Sequence, residues 1–227
     1  MFIGHFALGM GAKKMVPEVS LGTLFLAGQF ADLLWPTLLL AGVEVVRIQP
    51  GVTAVTPLDF VRYPYSHSLL ALLVWAVLFS LAYLAFHRSR TAAAVTLGAL
   101  VLSHWLLDFV VHRPDLPLTL GGSELFGLGL WDSLPATLAV ELTLFAAGVA
   151  LYARSTEALD RQGRWGFWSL VAFLLIVYFA NLFGPPPPSV DAVAWTTQAM
   201  WLLVLWGWWV DRHRRPRDLM LLNFNNA

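Results

Sequence analysis

Apolar runs about twenty residues long recur along the chain, separated by short stretches rich in arginine, proline and glycine. A helix needs about 20 mostly apolar residues to cross a bilayer. Six segments meet that length, at residues 21–43, 66–87, 91–112, 125–153, 165–183 and 192–210. The opening stretch, residues 1–12, is apolar but about half as long as a span must be. Lys13 and Lys14 follow it rather than precede it, the wrong order for a cleaved signal peptide. It is expected to be a short helix or re-entrant segment packed into the bundle. The pattern predicts an all-α, polytopic membrane bundle of about six transmembrane helices plus a short N-terminal helix. Residues 1–218 form one domain, and residues 219–227 are expected to be a frayed tail.

The basic residues orient this pattern. Eleven of the fourteen Lys and Arg fall on one side of a six-span topology, at Lys13, Lys14, Arg88, Arg90, Arg154, Arg161, Arg164, Arg212, Arg214, Arg215 and Arg217. Arg47, Arg62 and Arg113 fall on the other. The positive-inside rule then puts both termini in the cytoplasm of a multi-pass protein, expected in a bacterial inner membrane. The loops at residues 47–64 and 114–124 lie outside and carry turn signals such as Pro50-Gly51 and Gly121-Gly122. Pro185 to Pro188 reads as a stiff polyproline connector.

Composition agrees. The chain is 58% hydrophobic and 12% charged, with a mean hydropathy of +0.68, whereas soluble domains carry about 25% charged residues. Zero net charge argues against nucleic acid, which asks for a basic face. No cysteine is present, so neither disulfides nor thiolate metal ligands are possible. Eleven tryptophans, many near segment ends, suit an aromatic belt.

Against that background the buried ionisable residues stand out, because such groups are costly at membrane depth and usually functional. His104, Asp108 and His112 are spaced four apart, so they share one helix stripe. His112, beside Arg113, can be a ligand or can face water. Asp32 lies mid-span and His67 opens the second span. Depth allows them to meet. At about 1.5 Å per residue, Asp32 lies roughly 17 Å, and His104 roughly 20 Å, from the cytoplasmic ends of their helices. His67 enters from outside, and His5 approaches the same level from below. Imidazole and carboxylate together suit a divalent ion such as zinc. A second stripe, Ser133, Thr137 and Glu141, lies on the fourth span. Glu141 could be a ligand, a general base or a protonated acid bonded to another helix.

These residues resemble a known family. Gly4-His5, Asp32 followed by Pro36, Tyr65-Ser-His-Ser68, and Ser103-His104 with Asp108 follow the motif order of the bacterial membrane-bound metal-dependent hydrolases. That family is itself similar in ligand order to zinc-dependent phospholipases C. The resemblance covers roughly residues 1–114. It implies His5, Asp32, His67, His104 and Asp108 as metal ligands. The acidic motif departs from the family pattern, with one aspartate where the family has two. That would leave one metal instead of two, or no catalysis.

The resulting expectation is a metal-dependent hydrolase, with zinc as cofactor and Glu141 or Asp32 as general base. Its partners would be membrane lipids and a lipid-like ester, phosphodiester or amide substrate. The alternative is a non-enzymatic transporter, or a structural subunit of a larger membrane complex. The same cluster would then be an ion or proton site, or interhelical glue.

Overall fold

The computed structural model describes residues 1–217, and the expected tail at 219–227 lies outside the described residues. The architecture is an all-α bundle. Its helices are α1 (Phe2–Ala12), α2 (Leu21–Gly28), α3 (Phe30–Leu40), the single turn α4 (Pro64–His67), α5 (Leu69–Phe86), α6 (Thr91–Val111), α7 (Leu134–Ser155), α8 (Arg161–Phe183), α9 (Val190–Gln198) and α10 (Met200–Arg212). Three short antiparallel ladders tie the loops: β1 (Val45–Ile48) with β2 (Leu58–Arg62), β3 (Leu116–Pro117) with β4 (Leu125–Phe126), and β5 (Thr156–Ala158) with β6 (Arg214–Pro216).

Among the described residues, α5, α6, α7 and α8 are each long and apolar enough to cross a membrane, and α2 with α3 makes a fifth span if the pair counts as one. The protein is a membrane protein. Helix α5 leaves Val74, Val77, Leu78 and Leu81 open to its surroundings. A contiguous face of that kind would be an aggregation site in water and is a lipid-facing surface in a bilayer.

The six expected spans correspond to these helices with informative differences. The first is bent by 57° between α2 and α3, at Gln29. The break follows Gly28, whose backbone is the least committed to helix, and the second half carries Pro36. The second span starts late. Ser68 is extended and caps α5, its Oγ accepting the Ala71 N–H, so His67 stands on the turn before the helix. The fourth starts at Leu134, not residue 125. Ser133 is its N-cap rather than part of a polar stripe, Pro135 occupies its first turn, and Leu125–Phe126 is strand β4. The sixth is split at Ala199 into α9 and α10, both too short to cross alone. Near the split, Thr197 bonds back to the Val193 carbonyl and Gln198 reaches Thr37 on α3.

Small residues set the closest helix crossings, as expected where lipid gives no hydrophobic drive for association. A Cβ on Gly148 of α7 would lie 2.4 Å from the Ala7 carbonyl of α1, and one on Gly207 of α10 would lie 3.0 Å from the Cα of Gly22 on α2. Helix α1 is therefore an integral, buried element of the bundle. The loops segregate to two ends. At one, Ala54 N–H bonds the Trp131 carbonyl and Arg113 pairs with Asp59. At the other, Lys13 bonds Asp211 at 2.7 Å, Tyr152 donates to the same carboxylate, and β5 pairs with β6. The second end gathers the loops that carry most of the basic residues.

Candidate metal centre

The break between α2 and α3, the turn α4, helix α6 and the start of α1 meet in the bundle interior. His104 and Asp108 occupy one face of α6, with Nε2 of His104 3.2 Å from Oδ2 of Asp108. Asp32, in the first turn of α3, places Oδ1 3.6 Å from that same Nε2. His67 closes the group, with Nε2 3.5 Å from Asp32 Oδ1 and 3.8 Å from Asp108 Oδ2. An ion bound tetrahedrally at about 2.0–2.2 Å holds its donors about 3.3–3.6 Å apart. The four separations, 3.2 to 3.8 Å, bracket that spacing.

Orientation supports the same reading. Nδ1 of His104 lies 3.0 Å from the Gly28 carbonyl, which the helix break has freed from its ladder. A carbonyl only accepts, so Nδ1 carries a proton, and in the neutral imidazole Nε2 presents its lone pair. That Nε2 is buried and makes no hydrogen bond, although two carboxylate oxygens lie within 4 Å. The possible ligand atoms fall in two groups of three that share His104, namely Asp32, His67 and His104, and His5, His104 and Asp108. Such an orphaned buried nitrogen demands an explanation, and a coordinated cation supplies one.

His5 belongs to the cluster differently. Its Nε2 is 3.1 Å from Oδ1 of Asp108, the oxygen turned away from His67 and His104. Its ring stacks on His104 with centroids 3.7 Å apart and planes 3° from parallel. Parallel rings cannot aim two in-plane lone pairs at one ion. A shared ion at about 2.1 Å would sit more than about 50° out of either plane. The structure thus brings all five expected ligands together, with His67 and His104 each within 4 Å of both Asp32 and Asp108 and with His5 on the far oxygen of Asp108. The Met1 nitrogen also contacts that far oxygen.

Glu141 is buried where α7 packs on α1, with the Ile3 backbone and the Trp131 indole facing its carboxylate. Its Oε2 has no hydrogen-bond partner, and it stands outside the groups of ligating atoms. His112 neither ligates nor faces water. It caps α6 in a separate network, Nδ1 2.9 Å from Asp115 Oδ1, its ring against Trp131 and Phe60. Tyr63 donates to the same Asp115 oxygen at 2.9 Å. Burial, and then that carboxylate, hold the Tyr63 phenol well above its usual range, so it remains a donor. This network locks β2 and the loop after α6 over the centre.

The motifs and their spacing point to every cluster member but not to the groups that orient them. Gly28 gives no sequence signal, because its role depends on the bend. Glu44 and Ser66, which hold His67, were within reach: Glu44 is a lone carboxylate at the end of an apolar run, and Ser66 adjoins the histidine.

The chain matches no protein-family model, no curated protein and no solved structure. The family resemblance therefore rests on the motifs alone.

Proposed function

We propose that this protein is a metal-dependent hydrolase acting on a lipid-like ester, phosphodiester or amide within the membrane. The observation that carries the proposal is the close spacing of four donor atoms, three of them buried and that of Asp32 partly exposed, with His104 Nε2 lacking a hydrogen bond. A set of two imidazoles and two carboxylates suits zinc. An ion held there would supply an acidified water and polarise a carbonyl or phosphoryl oxygen.

The protein's own residues set the direction of approach. The side chains of His67, His104 and Asp108 are at most 4% exposed, whereas that of Asp32 is 24% exposed. Substrate would therefore reach the centre over Asp32, past the bent α2–α3 pair. Irregular backbone at membrane depth is tolerated where it is buried in protein or lines a cavity, and this bend meets that condition. Of the two carboxylates expected to act as base, Asp32 borders the opening. Glu141 lies behind α1 and would act on the centre only at one remove.

The test is hydrolysis in mixed micelles, offering a phospholipid, a neutral lipid ester and a lipid amide to the purified protein. Turnover should vanish on chelation and return with zinc. A protein that retains its ion yet hydrolyses none of the three would sink the hydrolase reading and favour a non-enzymatic ion site.

A further inference from the structure

The two imidazoles aimed at the centre are held by different devices. His104 is fixed by a main-chain carbonyl, as described. His67 is fixed by a chain of side chains that begins outside the motif-bearing segments. Nδ1 of His67 lies 2.7 Å from Ser66 Oγ, and Ser66 Oγ lies 2.6 Å from Glu44 Oε2. The other Glu44 oxygen accepts the backbone N–H groups of Tyr65 and Ser66 at 2.8 and 2.9 Å. Ser66 Oγ also lies 3.5 Å from the Tyr63 carbonyl, a far longer contact. Glu44, Ser66 and His67 are all buried, at 2%, 0% and 3% exposure.

The directions along this chain follow from what each group can do. A carboxylate accepts, so the short bond uses the Ser66 hydroxyl proton. The serine oxygen is then left to accept, and His67 donates Nδ1–H to it. That fixes the tautomer with Nε2 bare, and Nε2 is the atom 3.5 and 3.8 Å from Asp32 and Asp108. Glu44 reaches this position because α3 ends in a left-handed residue, Gly42 at φ 68°, after which the chain folds back with Glu44 N–H on the Leu38 carbonyl. Burying a carboxylate is expensive unless several donors meet it, and three do.

We infer that Glu44 and Ser66 are positioning residues of the metal centre: they form a carboxylate–serine–histidine relay that holds His67 in its ligating tautomer and orientation. The inference rests on the metal-centre reading. It gives Glu44 a role beyond its structural one, the capping of turn α4 through the two N–H groups.

Ser66→Ala separates the two roles, because it removes the relay and leaves the capping bonds in place. The full chain, purified in detergent, is stripped and titrated with Zn2+ against a chelator of known affinity. Ser66→Ala should weaken binding about 10–100-fold, the usual effect of losing a group that orients a ligand. Ser66→Thr, which keeps the hydroxyl, should bind within a few-fold of the unmodified protein. The metal-free Ser66→Ala protein should unfold at somewhat lower temperature, because Glu44 Oε2 and His67 Nδ1 lose their shared partner. The readout specific to the relay is a shift in its Co2+-substituted visible spectrum that Ser66→Thr does not show. Glu44→Gln should weaken binding similarly, with added loss of fold stability through the cap. Wild-type affinity in Ser66→Ala would overturn the relay while leaving the metal centre standing. Failure of the unmodified protein to bind Zn2+ would overturn both.

Discussion

If the proposed centre holds zinc, replacing His104 by alanine should lower zinc affinity by more than about 100-fold, beyond the effect of losing an orienting group. His104 is the donor on which the arrangement turns. Its Nε2 lies within 4 Å of both Asp32 and Asp108, and its Nδ1 satisfies the carbonyl freed at the helix break. The substitution removes one donor and leaves the Gly28 carbonyl and two carboxylates facing a void. An unpartnered buried polar group costs about 1–3 kcal/mol, so the metal-free protein should also unfold at lower temperature. His87→Ala is the control. His87 is the C-cap of α5, where it stacks on Tyr83. It should keep full metal content. Equal retention of zinc by both variants would show that His104 is not a ligand.

The second large effect is expected at Gly148, which has no side chain and packs against the backbone of α1. A methyl group there would meet the Ala7 carbonyl oxygen at 2.4 Å and the Ala7 Cα at 2.7 Å, and backbone cannot rotate out of the way. Gly148→Ala must push α1 off α7. Overpacking of this kind typically costs about 1–3 kcal/mol. Helix α1 carries His5, and the stack of His5 on His104 depends on the same crossing. The variant should therefore unfold earlier in detergent and also bind zinc more weakly. Gly11→Ala, on the same helix, meets only the end of Leu151 at 3.4 Å and should be near neutral. Equal stability of the two variants would mean that α1 and α7 are not packed as described.

These two cases mark what the sequence could and could not reveal. The long apolar runs of α5 and α6 are direct statements of helix and membrane, and the four-residue spacing of His104 and Asp108 places both on one face. The depth argument for Asp32, His67 and His5 needed only the rise per residue and the order of the loops. Apolar periodicity reports a face, however, and says nothing of a bend. The break at Gln29 was invisible, and with it the carbonyl that orients His104. Hydropathy also overran the start of α7, because Leu125 and Phe126 are apolar in a strand as well as in a helix. Only the cap at Ser133 and Pro135 marks the true boundary. His112 looked interfacial from its neighbour Arg113, yet Asp115 three residues on draws it inward. Glu44 lay beyond the end of an expected span, and its importance depends on the turn at Gly42.

His67, His104, Asp32 and Asp108 are proposed to hold one ion. X-ray absorption at the zinc edge tests this most directly, on protein purified from zinc-supplied cells and quantified for metal. About one ion per chain is expected, with a nitrogen and oxygen shell at about 2.0–2.2 Å and the outer scattering of two imidazoles. Protein that carries no zinc, or zinc whose shell lacks imidazole, would contradict it.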